Sequence, residues 1–301
     1  MNKWWLLLLT LSGWTALGFA IFGPSGDRRS EAAPLPDRVE RIVSMAPSLT
    51  EILFALGLDE KIVGVTLYSD YPPAATEKPK MGSFWQPNIE AIVAARPNLV
   101  ITLGFGRHNI LAGRLKRIGY NSLPVNIEKV GDLFEAIDTI GAATGRQHQA
   151  DKLTSNIREK LNRLSTSAGS EAKVRVLWVV QREPLRVAGR DTFVNEMIEL
   201  AGGENAIGRT VHKYPPIGAE QVVACGAEVI IEPEMGRQNL SRQRDNAFKY
   251  WSKFKNLPAV TNEQIYVIQG DTVSRLGPRL HEGTETIAKC LRPGLFEERK
   301  Q

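Results

Sequence analysis

Ile89-Glu90-Ala91-Ile92-Val93-Ala94-Ala95-Arg96-Pro97-Asn98-Leu99-Val100-Ile101 carries the plan of this chain. Ala219-Glu220-Gln221-Val222-Val223-Ala224-Cys225-Gly226-Ala227-Glu228-Val229-Ile230-Ile231 repeats it without a gap at an offset of 130 residues. Each copy has a glutamate near its start, continues as a small apolar helix, breaks, and ends in branched apolar residues that read as a buried strand. A repeated helix–strand unit sets the architecture before any single motif does, and this one predicts two related halves. A second, weaker echo agrees with it: Thr50-Glu51-Ile52-Leu53-Phe54-Ala55-Leu56-Gly57 is similar to Asn195-Glu196-Met197-Ile198-Glu199-Leu200-Ala201-Gly202.

Working outward, Arg41-Ile42-Val43-Ser44-Met45 is a short apolar strand stopped by Pro47. Ser48 followed by Glu51 reads as a capping box for the next helix, which Gly57 ends. Strands are predicted at residues 61–66, 99–103 and 121–125, and helices at 89–95, 109–118 and 130–144, with Asn88 capping the first of these helices. Alternation of strand and helix implies a parallel sheet covered on both faces. Residues 146–165 follow, with Ala150, Leu153, Ile157, Leu161 and Leu164 spaced by three and four and no internal Gly or Pro. At roughly 1.5 Å per residue this is a rod of about 30 Å, placed between the two halves. The second half repeats the plan. It has a strand at 174–180, a helix capped by Asp191, a helix at 220–225 and a strand at 228–231. A polar helix around 239–255, a strand at 264–268 and a closing helix at 278–291 complete it. The expected fold is α/β, with two parallel-sheet α/β lobes joined by one long rigid helix and a ligand cleft between the lobes. The lobes are placed at residues 41–145 and 174–292, the connecting helix at 146–168 and a tail at 293–301.

The composition is that of a globular protein: 301 residues, 43% hydrophobic and 24% charged. The net charge of +5 comes without any Lys/Arg run interleaved with aromatics, so nucleic acid is not an expected partner. Residues 4–22 carry no charge and follow Lys3, which reads as an export signal or an uncleaved N-terminal membrane anchor. No cysteine follows that apolar run, which excludes a lipoprotein anchor. Residues 23–40, with Pro24, Pro34 and Pro36, read as a flexible tether. The remainder is expected to be exported, in the periplasm or another extracytoplasmic space. Cys225 and Cys290 are the only cysteines, and in an oxidising compartment they either pair or stay two separate buried thiols.

Catalytic patterns are missing. There is no Gly-x-Ser-x-Gly elbow, and His108, His148, His212 and His281 form no metal-spaced pair. Gly104-Phe105-Gly106 begins a dinucleotide pattern that no further glycine completes. No catalytic residue, metal or cofactor is therefore expected; the rival from another class is an enzyme working in the interlobe cleft, which requires a positioned nucleophile or a metal there. The loops are more informative. Leu67-Tyr68-Ser69-Asp70-Tyr71-Pro72-Pro73 and Gly82-Ser83-Phe84-Trp85-Gln86-Pro87-Asn88 are aromatic and proline-stiffened, in a chain that is only 7% aromatic. The second half offers Tyr214-Pro215-Pro216 and a loop containing Arg275. In parallel α/β sheets ligands bind at the carboxyl ends of strands, where aromatics give rigid contact area at little entropic cost.

These residues, in this order, resemble the helical-backbone (class III) solute-binding proteins of ABC importers, most closely the periplasmic vitamin B12 (cobalamin) receptors. The resemblance spans roughly residues 41–291. It rests on Tyr68-Ser69-Asp70-Tyr71-Pro72-Pro73, on Trp85-Gln86 through Asn88-Ile89-Glu90 to Leu99-Val100-Ile101, and on Gly202-Gly203-Glu204-Asn205. It implies a monomer without enzymatic activity that holds cobalamin or a related corrinoid, or alternatively a ferric siderophore or haem, between its lobes. Tyr68, Tyr71 and Trp85 would line the first lobe's side, with Tyr214 and Arg275 on the other. It also implies that Glu90 and Glu220, one per lobe, dock onto arginines of a membrane permease. Two departures stand out: Tyr214 replaces a tryptophan, and Ala201 stands where the family has a cysteine. The family's usual disulfide therefore cannot form, and whether Cys225 substitutes as the partner of Cys290 stays open between a pair and two free thiols.

Overall fold

The computed structural model describes residues 38–168, 172–234 and 240–296. The expected export segment, and the tether as far as residue 37, lie outside them. Among the described residues no helix is long and apolar enough to cross a membrane.

The first lobe is built on four parallel strands. These are β1 (Ile42–Ser44), β2 (Ile62–Val65), β3 (Leu99–Leu103) and β4 (Ser122–Val125), in the order β2-β1-β3-β4. Successive residues of a strand point to opposite faces, and the core divides accordingly. Val43 and Val100 pack with Ile92, Leu111 and Leu115, which come from α2 (Ile89–Ala94) and α3 (Arg107–Arg117). Ile42, Leu99 and Ile101 face the other way, onto α1 (Pro47–Ala55), α4 (Val130–Thr144) and α5 (Gln147–Ala168).

The second lobe is a five-stranded sheet. Its path is β6-β5-β8-β9, formed by β5 (Val174–Arg182), β6 (Leu185–Val187), β8 (Val229–Glu234) and β9 (Ile265–Gln269). β7 (Gly203–Asn205) pairs parallel with the start of β5, whose end turns back into β6 as an antiparallel hairpin. Neither β6 nor β7 is expected from the sequence pattern. The parity argument repeats here. Leu177, Val179 and Ile230 pack on α7 (Ala219–Ala224), α8 (Leu240–Trp251) and α9 (Pro258–Thr261). Val176, Trp178 and Ile231 face α6 (Phe193–Leu200) and α11 (Leu280–Leu291). The short helices α10 (Asp271–Ser274) and α12 (Pro293–Phe296) flank α11.

The 22-residue α5 joins the lobes; at about 1.5 Å per residue it is about 33 Å long. Its buried Ala150, Ile157 and Leu161 belong to the core cluster that contains both Ile101 and Ile231, so one continuous core crosses from lobe to lobe.

Two expected caps are corrected. Pro47, not a residue after Ser48, starts α1; the extended Ala46 precedes it without a side-chain cap, and Glu51 is drawn instead to an arginine of the other lobe. At α6 the cap is Thr192, whose Oγ1 accepts from the Asn195 N–H at 3.1 Å; Asp191 instead pairs with Lys129 at 2.7 Å. Asn88 caps α2 as expected, accepting from the Ala91 N–H at 2.9 Å.

Candidate functional site

The loops at the carboxyl ends of β1, β3 and β4 meet the second lobe across a cavity of about 190 Å³. Phe84, Leu103 and Ile127 line it from the first lobe, and Phe193, Arg275 and Leu276 from the second. Phe84 is placed there by a tight turn. The Ser83 N–H donates to Gln86 O at 3.0 Å, and the Gln86 N–H donates to Ser83 Oγ at 2.9 Å. Gly82 enters this turn at φ +85°, where a Cβ would stand 2.7 Å from the Asn88 nitrogen, so glycine is required by conformation and by space. Below the turn, the Phe84 ring lies 4.5 Å from that of His108. Burial lowers the His108 pKa, and the neutral ring uses Nε2–H on Phe84 O at 3.1 Å.

The loop carrying Asp70 is anchored by hydroxyls. Ser44, Thr50, Ser69 and Thr66 form a buried chain with spacings of 2.8, 3.0 and 2.8 Å. Asp70 then meets Arg275 across the cleft at 2.7 Å, and Arg275 also holds Asp271 at 2.9 Å. Beside this pair, Arg279 forks onto Glu51 at 2.9 and 2.6 Å, reaches Asp271 at 2.7 Å, and stacks 3.7 Å above the Tyr71 ring. Burial works against the Arg279 charge, but its bonds to Glu51 and Asp271 outweigh that and hold its pKa above the usual value. Burial pushes the Glu51 carboxyl upward, and the bidentate fork to Arg279 opposes that shift. A second set of interlobe contacts joins Glu128 to Lys213, Lys129 to Asp191 and Glu196, and the Val130 N–H to Glu196 Oε2 at 2.7 Å.

Of the residues expected to hold a ligand, Arg275 lines the cavity. Tyr71 stands next to it under Arg279. Tyr68 and Trp85 are exposed, and Tyr214 is half-buried against the shared core, where burial raises its hydroxyl pKa. Phe84, Phe193 and Leu276 were not anticipated. The signal for Phe84 was its place beside Trp85 in a proline-stiffened turn, but turn geometry decides which of the two rings points inward. Glu90 and Glu220 are both exposed in the first turns of α2 and α7, without an ion-pair partner among the described residues. Cys225 and Cys290 do not pair: both thiols are free and buried. The reason is parity, since Cys225 packs with Leu177 and Ile230 while Cys290 packs with Val176 and Ile231, on opposite faces of the second sheet.

The sequence of this two-lobed chain is matched by a known family model. Residues 42–272 match that of the periplasmic binding proteins. The chain belongs to the periplasmic binding protein family. This periplasmic binding protein is 27% identical over 261 residues to the vitamin B12-binding protein of Vibrio cholerae, covering 87% of this chain and 91% of the relative. It is 28% identical over 279 residues to an uncharacterized ABC transporter substrate-binding lipoprotein, YvrC, of Bacillus subtilis, covering 90% and 86%. A possible iron-binding (periplasmic solute-binding) protein from Staphylococcus epidermidis superposes with a TM-score of 0.75 at 27% identity, covering 84% of this chain and 98% of that one. The periplasmic binding protein described here is a class III solute-binding component of an ABC importer, not an enzyme.

Proposed function

We propose that the protein captures cobalamin or a related corrinoid between its lobes and delivers it to an ABC permease. The observation that carries this reading is the cleft wall. Phe84, Leu103, Ile127, Phe193 and Leu276 offer apolar stacking surface around a single cation, Arg275. A cavity of about 190 Å³ is smaller than the roughly 300–1,000 Å³ of ordinary small-molecule sites, so a corrinoid enters only when the lobes part. Parting frees Arg275 from Asp70, and an acidic or phosphate group of the ligand takes the carboxylate's place. Tyr68, Tyr71 and Tyr214 then close over the ligand's rim. The vitamin B12-binding relative matches along nearly its whole length, which supports the corrinoid. A second reading, a ferric siderophore or haem, is favoured by the possible iron-binding protein of Staphylococcus epidermidis, which superposes along 98% of its length at 27% identity.

Glu90 and Glu220 dock the loaded protein on the permease, and residues 1–22 export the chain or anchor it. Titration with cyanocobalamin, followed by calorimetry and visible absorbance, is expected to saturate at one ligand per chain. If haem or a ferric siderophore binds instead, the second reading replaces the first; if none binds, both fail. The double variant Glu90→Ala/Glu220→Ala is expected to abolish uptake in cells while leaving binding intact, and unimpaired uptake would remove the docking role.

A further inference from the structure

A second concavity, of about 450 Å³, lies wholly on the first lobe. Its lining includes Trp85, Ile89, Arg107, Ile110, Leu111 and Arg114. Residues 107, 110, 111 and 114 share one face of α3, at the i, i+3, i+4, i+7 spacing. Two features lack a structural purpose. Trp85 is 68% exposed and Ile110 60% exposed, and both line the same groove. Arg107 occupies the first turn of its helix, where the dipole disfavours a cation, and neither Arg107 nor Arg114 has a carboxylate partner among the described residues. The dipole favours Arg114, in the last turn of α3, so folding stability leaves Arg107 unexplained.

The arrangement is that of a recognition groove. Ile89, Ile110 and Leu111 give this groove an apolar lining beside Trp85, and Arg107 and Arg114 line it as well. The two arginines are seven residues apart, or about 10 Å along the helix. The groove is separate from the interlobe cavity. Phe84 lines the cavity, Trp85 lines the groove, and the two rings meet edge-on at 4.8 Å as a shared wall. We propose that this groove is a second ligand site, for an elongated amphipathic anion with an acidic group at each end of an apolar body. It involves no residue of the second lobe, so it operates whether or not the lobes close, and it does not rest on the corrinoid reading.

Trp85 supplies the readout. The difference in emission between the wild type and Trp85→Phe separates the Trp85 signal from those of the other five tryptophans, of which Trp178 and Trp251 are buried. Decanedioate is the probe, with decanoate and 1,10-decanediol as mono-anionic and uncharged controls. The dianion is expected to blue-shift the Trp85 emission and to bind more tightly than either control. Each of Arg107→Gln and Arg114→Gln is expected to weaken it about threefold, and both together about tenfold, the scale of exposed ion pairs. Unchanged melting of the variants checks their fold, and an unchanged cyanocobalamin titration separates this site from the cleft. Equal affinity for decanedioate and decanediol, or a double arginine variant that binds like the wild type, overturns the proposal.

Discussion

The two copies of the repeated unit agree down to single hydrogen bonds. In the first lobe, Arg41 closes the C-terminus of α2, donating from Nη2 to Ala95 O at 2.7 Å and from Nε to Arg96 O at 3.0 Å. In the second, Arg175 does the same for α7, with both donors on Cys225 O at 2.6 and 3.1 Å. The Arg41 N–H donates to Asn98 Oδ1 at 3.0 Å, and the Arg175 N–H to Glu228 Oε2 at 2.8 Å. Even the break between helix and strand matches, with Arg96 at φ 46° and Gly226 at φ 56°. At the cleft the likeness ends: the first lobe brings carboxylates and a tight aromatic turn, the second brings Arg275 and Arg279. The supports of the lobes are duplicated, and their facing surfaces are complementary.

The largest expected effect lies in that complementarity. Arg279→Ala strips Glu51, a buried carboxylate, of its fork partner. Leaving a buried charge unpaired costs about 3–5 kcal/mol, to be read from the urea midpoint. Removing both partners in Glu51→Met/Arg279→Leu is expected to cost less than the single change. Asp70→Asn breaks a pair that is 42% exposed on the carboxylate side and is expected to cost under about 1 kcal/mol while opening the cleft. If Arg279→Ala costs no more than Asp70→Asn, the lobes are not held as described.

The repeated helix–break–strand units were legible in the sequence because they are local, whereas the arginines that close them lie 54 and 50 positions away and were not. A helix, a break and a strand within thirteen residues show themselves by pattern, and α5 by its period. What escaped depends on residues far apart in the chain. Glu51 has the spacing of a capping box with Ser48, yet Arg279, 228 positions away, claims it. β7 is three residues of Gly-Glu-Asn, with no strand signal except the β5 edge waiting for it. The cavity-lining residues were legible only by neighbourhood. The turn at residues 83–86 was recognisable, but which of Phe84 and Trp85 points into the cleft is decided by backbone hydrogen bonds that composition does not reveal. The family resemblance implied a cleft position for Arg275, but its engagement with Asp70 crosses 205 positions and left no local trace.

The duplication itself is tested by matched substitutions. Arg41→Ala and Arg175→Ala each remove charge-assisted bonds to helix-end carbonyls, and each is expected to cost about 1–2 kcal/mol. Equal effects uphold the equivalence, whereas a difference beyond about 1 kcal/mol breaks it. Smaller and opposite effects are expected one turn on. Arg96 is exposed, and a Cβ built on Gly226 meets nothing closer than Arg175 Nε at 4.0 Å, so packing enters neither case. A non-glycine residue in the left-handed region costs about 1–2 kcal/mol, and glycine's extra unfolded-state entropy returns about 0.4–1 kcal/mol of that. Arg96→Gly is therefore expected to stabilise by up to about 1 kcal/mol, and Gly226→Ala to destabilise by about the same amount. Two shifts of the same sign would mean that the break is not shared.

The smallest effect is expected where the copies differ by one atom. Cys225 stands at the position of Ala95, and its Sγ donates to Val222 O at 3.0 Å, a weak bond that its own helix turn supplies. Cys290, buried among apolar neighbours on the other face of the sheet, has its thiol pushed up to about 12 by desolvation, and burial raises the Cys225 thiol as well. A thiol so disfavoured as thiolate neither attacks a disulfide nor reacts readily with one. Protein isolated from an oxidising compartment and unfolded without reductant is thus expected to titrate two free thiols, and the native protein far fewer. Cys225→Ala, which restores the first copy's residue, is expected to shift stability by less than about 1 kcal/mol, equally with and without reductant. A loss of several kcal/mol seen only under oxidising conditions would mean that the sulfurs do meet. The sheet between them would then have to be assembled with the opposite parity, and with it the whole correspondence between the lobes.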